Sequence, residues 1–272
     1  MPDPVKALPV LKIRGDARDS GPDDVAVEEP LEIRVAGDPV AITMRTPGND
    51  EWLTAGFLLS EGIISSLEDV SRIYHCGRPG SDTFNNTIDV IPSPGHTLDV
   101  EDISTARRGT LTTAACGVCG RKSIDDLLER CSPLHDDAHV SLSVIEQCVE
   151  SLCQLQPTFE QTGGVHAAGV FSTTGNRLVV CEDIGRHNAV DKAVGALLYG
   201  EAKLDEAGIL VVSGRASFEM VQKAAMARIS CVASVSAASS LAVSLADEVG
   251  LVLAGFVRER RMNIYTHSER VG

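Results

Sequence analysis

Apolar runs of four residues alternate with amphipathic segments through the second half of the chain. The runs, which predict strands, are Leu178–Cys181, Ile209–Val212, Val232–Val235 and Leu251–Ala254. The segments between them predict helices that end near Tyr199, Ile229 and Val249. Apolar strands alternating with helices are typical of a mostly parallel sheet covered on both faces, so we expect a three-layer α/β domain over residues 138–272. Ligands of such sheets bind beyond the carboxyl ends of the strands.

The first hundred residues show shorter and more mixed patterns. Four predicted strands lie at Leu31–Val35, Val40–Met44, Val70–His75 and Thr87–Ile91. Between the second and third of these, Asn49 is a predicted helix N-cap, with acidic residues in the first turn and Gly62 past the end. Residues 25–106 therefore predict a small α+β unit. Residues 1–24 carry four prolines among scattered aspartates and predict a flexible tail.

Composition narrows the functional classes. The 272 residues are 43% hydrophobic and 23% charged, with a net charge of −14. An acidic balance argues against general nucleic-acid binding and against anionic membranes, since both are driven by basic surface. The longest uncharged span, Ile229–Ala246, contains six serines and divides into strand, turn and helix. With no apolar signal segment at the start, we expect a cytoplasmic protein whose eight cysteines are reduced.

The middle of the chain has no amphipathic period. Cys116 and Cys119 form a C-x-x-C motif among glycines and small residues, and Ser123 with Asp126 predicts a helix start just after it. Residues 107–137 therefore predict a mobile loop followed by a short helix.

A C-x-x-C motif serves several kinds of site. Structural zinc needs about four ligands, and no second C-x-x-C is present. The zinc deaminase signature places H-x-E before P-C-x-x-C, whereas here His267 and Glu269 follow the cysteines and Ala115 replaces the proline. A thioredoxin-type dithiol normally lies between a strand and a helix, and only the helix is predicted here. We therefore expect no bound metal, with structural zinc kept as a minor alternative.

The surroundings of the motif favour a reactive thiolate. Arg121 and Lys122 follow the cysteines directly, and Arg107 and Arg108 precede them. Positive charge and a helix N-terminus both stabilise thiolate over thiol, and the thiolate is the nucleophile. Such a cysteine can attack a sulfur donor and hold the sulfur as a persulfide.

Three arginines, Arg186, Arg215 and Arg258, lie just past predicted strand ends. The segment Ser213–Ser217 also opens a helix, where free N–H groups favour an anion. Arginine adds a bidentate contact to phosphate, so this edge predicts a site for a pyrophosphate-bearing ligand. The remaining polar residues nearby stay ambiguous between pocket residues and structural ones: His166, Asp183, His187 and Asp191.

Together these segments resemble the formate dehydrogenase accessory sulfurtransferases (FdhD). The resemblance covers nearly the whole chain after the tail. The segments that carry it are Thr46–Asn49, Phe57–Gly62, Ala115–Gly120, Thr162–His166, Glu182–Asn188, Val212–Arg215 and Gly255–Arg258.

The resemblance implies a sulfur carrier. Such a carrier takes sulfur from a cysteine desulfurase and passes it to the molybdenum or tungsten of a bis-molybdopterin guanine dinucleotide cofactor before insertion into formate dehydrogenase. Cys116 matches the persulfide-bearing cysteine, and Cys119 would assist it. The resemblance also implies a cytidine-deaminase-like fold for the larger domain and a homodimer.

The predicted binding site for the guanine nucleotide part of that cofactor has eleven residues. The resemblance implies six of them as the cofactor-binding segment: Gly255, Phe256, Val257, Arg258, Glu259 and Arg260. The pattern at the strand ends adds Arg186, His187, Ser213, Gly214 and Arg215. Two alternatives remain open at this point. One is a dithiol oxidoreductase that cycles Cys116 and Cys119 through a disulfide, and the other is a cofactor chaperone without a catalytic cysteine.

Overall fold

The computed structural model describes residues 3–77, 84–100, 131, 133–134 and 139–272. Two strands, β1 (Val5–Arg14) and β2 (Ala17–Ala26), form an antiparallel hairpin at the start of this part. The prediction of a flexible tail over residues 1–24 is therefore wrong for the residues that form this hairpin. Pro9 and Pro22 face each other in the register, which a proline tolerates where its nitrogen points to a free edge. The prolines and aspartates hid this strand pattern in the sequence.

A four-stranded sheet follows, with strand order β4-β3-β6-β5. Its strands are β3 (Glu29–Val35), β4 (Asp38–Arg45), β5 (Val70–His75) and β6 (Thr87–Pro92). Helix α1 (Asp50–Ser60) lies between β4 and β5 in the chain. The alternating apolar residues of β3 are buried because this sheet has one face against the core, and Leu31 and Ile33 have no exposed surface.

Asn49 occupies the N-cap position of α1, as the sequence predicts, but it contributes only its backbone carbonyl, which accepts the Leu53 N–H. Its φ is 55°, and its side chain makes no capping hydrogen bond. A short 3-10 helix, Leu67–Asp69, then leads into β5 and carries a complete capping box between Ser66 and Asp69.

The larger sheet has six strands in the order β12-β11-β10-β9-β7-β8. They are β7 (His166–Phe171), β8 (Arg177–Asp183), β9 (Ile209–Val212), β10 (Cys231–Ser234), β11 (Val252–Arg258) and β12 (Arg261–Thr266). Five helices accompany them in the described part of the chain. They are α2 (Leu142–Cys153), α3 (Pro157–Thr162), α4 (Arg186–Leu198), α5 (Phe218–Met226) and α6 (Ser240–Val249).

The predicted α/β class is confirmed, but this sheet is mixed rather than mostly parallel. Among neighbouring strands only the pairs β9–β10 and β10–β11 are parallel, and the other three neighbouring pairs that the structure describes are antiparallel. The sequence pattern did not reveal β7, which inserts an antiparallel strand between β8 and β9, or β12, which adds an antiparallel strand at the edge beside β11. The resemblance to a cytidine deaminase stays a prediction.

Both faces of the six-stranded sheet are covered, which gives the expected three layers. On one face Leu210 and Val212 join a core that includes α1, α4, α5 and α6. On the other face Ile209 and Val211 pack with Ile145 of α2. Since adjacent residues of one strand enter different cores, β9 reads as a continuous apolar run. No helix in the described part of the chain is long and apolar enough to cross a membrane.

Candidate functional site

One edge of the six-stranded sheet collects most of the polar residues singled out from the sequence. The parallel strands β9 and β10 end there, β11 crosses it near Gly255, and β8 ends and β7 begins there because of the antiparallel pairing. The Ala167 N–H donates to Oγ of Ser213 over 2.9 Å. The loops after β9 and β10 are joined by a bridge between Ala216 and Ala238. The edge is therefore a connected surface rather than a row of separate loops.

We call His166, Arg186, His187, Ser213, Gly214 and Glu219 the edge cluster. A Cβ built on Gly214 would lie 3.4 Å from Nδ1 of His166 and 3.7 Å from Cδ of Arg186. The missing side chain thus lets both His166 and Arg186 lie against the Gly214 backbone. Nε of Arg186 is buried and has no hydrogen-bond partner among the described residues. This arginine retains an unused donor at the edge.

His187 and Glu219 form the second part of the cluster. Nε2 of His187 lies 3.6 Å from Oε2 of Glu219, which is an ion-pair separation and too long for a hydrogen bond. The Ser217 hydroxyl donates to the same carboxylate over 2.7 Å. The nearby His187 imidazole, followed by the Ser217 hydroxyl, lowers the pKa of Glu219 to about 2 against the effect of burial. The structure therefore holds Glu219 as an anion beside His187.

His166 is half-buried at the start of β7. Burial lowers its pKa, and the charges of Arg186 and His187 lower it further. At neutral pH the imidazole of His166 is therefore uncharged and can accept a hydrogen bond as well as donate one.

Two helix N-termini point into this edge. Helix α4 begins at Arg186 after the N-cap Gly185, and α5 begins at Phe218 after the N-cap Ser217. Free N–H groups and the helix dipole favour anions at such ends. His187 is only 9% exposed, and its Nε2 has no hydrogen-bond partner among the described residues. The unpartnered Nε of Arg186 thus suits an anionic ligand, whereas Nε2 of His187 faces the carboxylate of Glu219.

The predicted segment Gly255–Arg260 reaches this edge only at its start. The Phe256 N–H donates to the Ser236 carbonyl over 3.0 Å, which ties Gly255 and Phe256 to the loop after β10. Strand β11 then continues through Arg258, which pairs with Arg261. The prediction that Arg258 lies past a strand end is therefore wrong. A bulge at Phe256, whose φ is 53°, interrupts the apolar pattern and hid the continuing strand.

The side chains of this segment differ in exposure. Phe256 is 39% exposed, whereas Val257 is buried in the core. Arg258, Glu259 and Arg260 are exposed at the turn between β11 and β12. Arg215 is also exposed, at the loop after β9. Of the three arginines singled out from the sequence, only Arg186 lies within the edge cluster.

Asp183 and Asp191, which the sequence left open, form buried ion pairs. Oδ2 of Asp183 lies 2.7 Å from Nζ of Lys192, and Oδ1 of Asp191 lies 2.6 Å from Nζ of Lys223. Because all four side chains are almost completely buried, these carboxylates are not free to bind a ligand.

A sequence model of the FdhD/NarQ family matches residues 26–272. The chain belongs to the FdhD/NarQ family.

Curated members of the FdhD/NarQ family are similar over almost the whole chain. The sulfur carrier protein FdhD of Anaeromyxobacter dehalogenans is 51% identical over 269 residues, covering 97% of this chain and 92% of that protein. The protein of the same name from Mycobacterium tuberculosis is 46% identical over 258 residues, covering 92% of each. A crystal structure from Desulfotalea psychrophila, described as a formate dehydrogenase accessory protein, superimposes with a TM-score of 0.77 at 26% identity, covering 99% of this chain and 100% of that one.

Within this FdhD/NarQ member, the two motif cysteines lie outside the described residues. The four basic residues predicted to activate Cys116 and Cys119 also lie outside the described residues: Arg107, Arg108, Arg121 and Lys122. Their predicted roles therefore stay predictions.

Five of the six cysteines that the structure describes are poor nucleophiles. Burial raises the pKa of Cys148, Cys181 and Cys231 to about 12. The thiols of Cys76 and Cys153 also have raised pKa values, mainly through burial. At neutral pH these five therefore remain protonated thiols.

The sequence interpretation does not assign two members of the edge cluster to the site. It leaves His166 ambiguous between a pocket residue and a structural one, although His166 directly follows a Gly-Gly-Val segment at the beginning of a strand. Glu219 was not singled out. Its position two residues after the N-cap Ser217 was the available signal, since carboxylates are favoured in the first turn of a helix.

Proposed function

We propose that this member of the FdhD/NarQ family is a sulfur carrier that serves formate dehydrogenase maturation. The observation that carries the proposal is the 51% identity, over 97% of the chain, with a protein named sulfur carrier protein FdhD. The C-x-x-C motif at Cys116 and Cys119 supplies the chemistry that a sulfur carrier needs, because a thiolate beside positive charge attacks sulfur donors.

In the loading step, the Cys116 thiolate attacks the terminal sulfur of a persulfide on a cysteine desulfurase. A new S–S bond forms on Cys116, and the desulfurase leaves as a thiolate. Cys116 then carries the sulfur as a persulfide, and no external oxidant is needed because the sulfur keeps its oxidation level.

In the delivery step, Cys119 is the assisting thiol. Its thiolate attacks Sγ of Cys116, a Cys116–Cys119 disulfide forms, and the terminal sulfur leaves as hydrosulfide. The substrate that accepts this sulfide is the molybdenum or tungsten of a bis-molybdopterin guanine dinucleotide. A cellular dithiol then reduces the disulfide and restores the two thiols.

The edge cluster supports the guanine nucleotide part of this proposal. Arg186 can bind a pyrophosphate through charge-assisted hydrogen bonds, and the N-termini of α4 and α5 add backbone donors beside it. The exposed ring of Phe256 lies on the same edge and can stack on a base. The cofactor would be held here as a substrate, in a cytoplasmic protein that acts as a homodimer.

The test is to incubate the protein with a cysteine desulfurase and cysteine, and then to map added sulfur by mass spectrometry. We expect a one-sulfur increase on Cys116 that reduction removes. A Cys116→Ala variant should gain no sulfur, whereas Cys153→Ser, a control at an exposed cysteine of α2, should load as the wild type does.

The two alternatives give other results. A protein that gains no sulfur but catalytically reduces disulfides would be a dithiol oxidoreductase. Formate dehydrogenase that matures normally with the Cys116→Ala variant would indicate a cofactor chaperone without a catalytic cysteine. Either result would overturn the sulfur carrier.

A further inference from the structure

The turn that presents Arg186 and His187 is held by a residue from the other sheet unit. Thr46 follows β4 of the four-stranded sheet, and its backbone N–H donates to Oδ2 of Asp183 over 3.1 Å. Its hydroxyl oxygen accepts the N–H of Ile184 over 3.1 Å. Thr46 thus contacts the two residues that end β8 and begin the turn into α4.

The contact is buried and its polar groups are satisfied. Nζ of Lys192 donates to the Thr46 carbonyl over 2.8 Å and lies 2.7 Å from Oδ2 of Asp183. The other carboxylate oxygen of Asp183 accepts the Gly185 N–H over 2.8 Å and Nδ2 of Asn188 over 3.0 Å. A buried ion pair holds its geometry when its remaining hydrogen-bonding capacity is filled in this way.

The consequence concerns the direction of the turn. Ile184 and Gly185 immediately precede Arg186, so the two backbone N–H groups that Thr46 and Asp183 fix determine where the first residues of α4 point. Thr46 itself is only 4% exposed and is therefore not available to a ligand.

We infer that Thr46 is a positioning residue, through which the N-terminal unit sets the orientation of Arg186 and His187 in the edge cluster. For the ligand, this inference rests on the proposed binding of a guanine nucleotide. The hydrogen bonds by which Thr46 fixes Asp183 and Ile184 do not depend on that ligand.

The test compares three full-length variants. Thr46→Val keeps the branched shape and the backbone N–H but removes the oxygen that accepts from Ile184. Thr46→Ser keeps that oxygen. Ser60→Ala is the matched control, because the Ser60 hydroxyl also donates from the N-terminal unit to α4, at Oδ1 of Asp191, but away from the turn.

The first readout is the affinity for GDP, measured by calorimetry, beside urea unfolding of each variant. We expect Thr46→Val to weaken GDP binding about fivefold to tenfold, as loss of one buried hydrogen bond does. Thr46→Ser and Ser60→Ala should stay within about twofold of the wild type, although Ser60→Ala should lower the urea midpoint as Thr46→Val does. Equal weakening by Ser60→Ala would overturn the positioning role, because a general loss of stability would then explain the effect.

The second readout is hydrogen exchange of the Ile184 amide, which needs no ligand. Exchange should be faster in Thr46→Val than in Ser60→Ala, and Thr46→Ser should restore slow exchange. Equal exchange in Thr46→Val and Ser60→Ala would overturn the inference. If the wild type binds no GDP, the proposed ligand fails, and the exchange rates still decide whether Thr46 holds the turn.

Discussion

Gly195 of α4 lies directly against the backbone carbonyl of Trp52 in α1, so that a Cβ on Gly195 would overlap that oxygen. The contact is reciprocated one turn away, where Gly56 of α1 faces the carbonyl of Asp191 in α4 in the same manner. The two helices therefore pack backbone to backbone. This close approach joins the four-stranded sheet unit to the six-stranded domain and brings Thr46 within hydrogen-bonding distance of Asp183.

Gly195→Ala should destabilise the protein strongly. The new methyl group meets a backbone carbonyl that cannot rotate away, so the helices must separate, and we expect a loss of about 3 kcal/mol in the free energy of unfolding. Urea unfolding measures it. Gly21→Ala is the control, because Gly21 of β2 has no atom within 4 Å of the added methyl group. Equal stability of the two variants would contradict the close helix packing.

Cysteine reactivity should separate the motif from the core. Because burial raises the pKa of Cys148, Cys181 and Cys231 to about 12, these thiols should resist iodoacetamide at pH 7.5 in the folded protein. Cys116 should react first, since basic residues flank its motif. Peptide mass spectrometry after brief labelling measures the order, and labelling in urea should modify all eight cysteines. Modification of Cys181 before Cys116 would contradict the predicted activation.

The sequence predicted those elements whose pattern depends on local residues alone. The strand predicted at Ile209–Val212 matches β9, and the helix predicted to end near Val249 matches α6, which has Ser239 as its N-cap. The strand is a run of four aliphatic residues, and the helix has a capping serine that marks its first turn. The sequence does not predict strand β7, because its small residues are required by close packing against residues that are far away in the chain. A Cβ on Gly169 would lie 3.1 Å from Cδ1 of Leu152 in α2 and 3.2 Å from Cγ2 of Val180 in β8.

The candidate site shows the same division. The rule that ligands bind at strand ends predicts that Arg186, His187 and Gly214 lie at one edge of the sheet, and the structure places them there. It failed for Arg258, because a bulge with a positive φ at Phe256 lets β11 continue. The pairing of His187 with Glu219 joins two helices about thirty residues apart in the chain, and no local pattern encodes such a contact.

Glu219 should contribute stability that depends on pH. Its folded-state pKa of about 2 lies below the ordinary 4.5, so its contribution is present above pH 4.5 and is lost as the pH falls towards 2. Glu219→Gln should therefore be less stable than the wild type at pH 6, and the difference should shrink below pH 4.5. Urea unfolding across this range measures it.

The control for Glu219 is Glu206→Gln. Glu206 is an exposed carboxylate paired with Lys203, and such a pair is worth less than about 1 kcal/mol at any pH. A stability difference for Glu219→Gln that stays constant from pH 6 to pH 3 would show that the His187 contact does not depress the pKa of Glu219 in solution.

Arg186→Ala should weaken GDP binding and leave sulfur loading intact. Nε of Arg186 is a buried donor without a partner among the described residues, so a pyrophosphate would supply the missing acceptor. Loss of such a charge-assisted contact costs about 1.5–3 kcal/mol, or about tenfold or more in affinity by calorimetry. Arg72→Ala is the control, because Arg72 stacks on Tyr74 in the four-stranded sheet unit. GDP affinity unchanged in Arg186→Ala would exclude the edge cluster as the pyrophosphate site, whereas loss of persulfide loading on Cys116 would show that binding and loading are not separable.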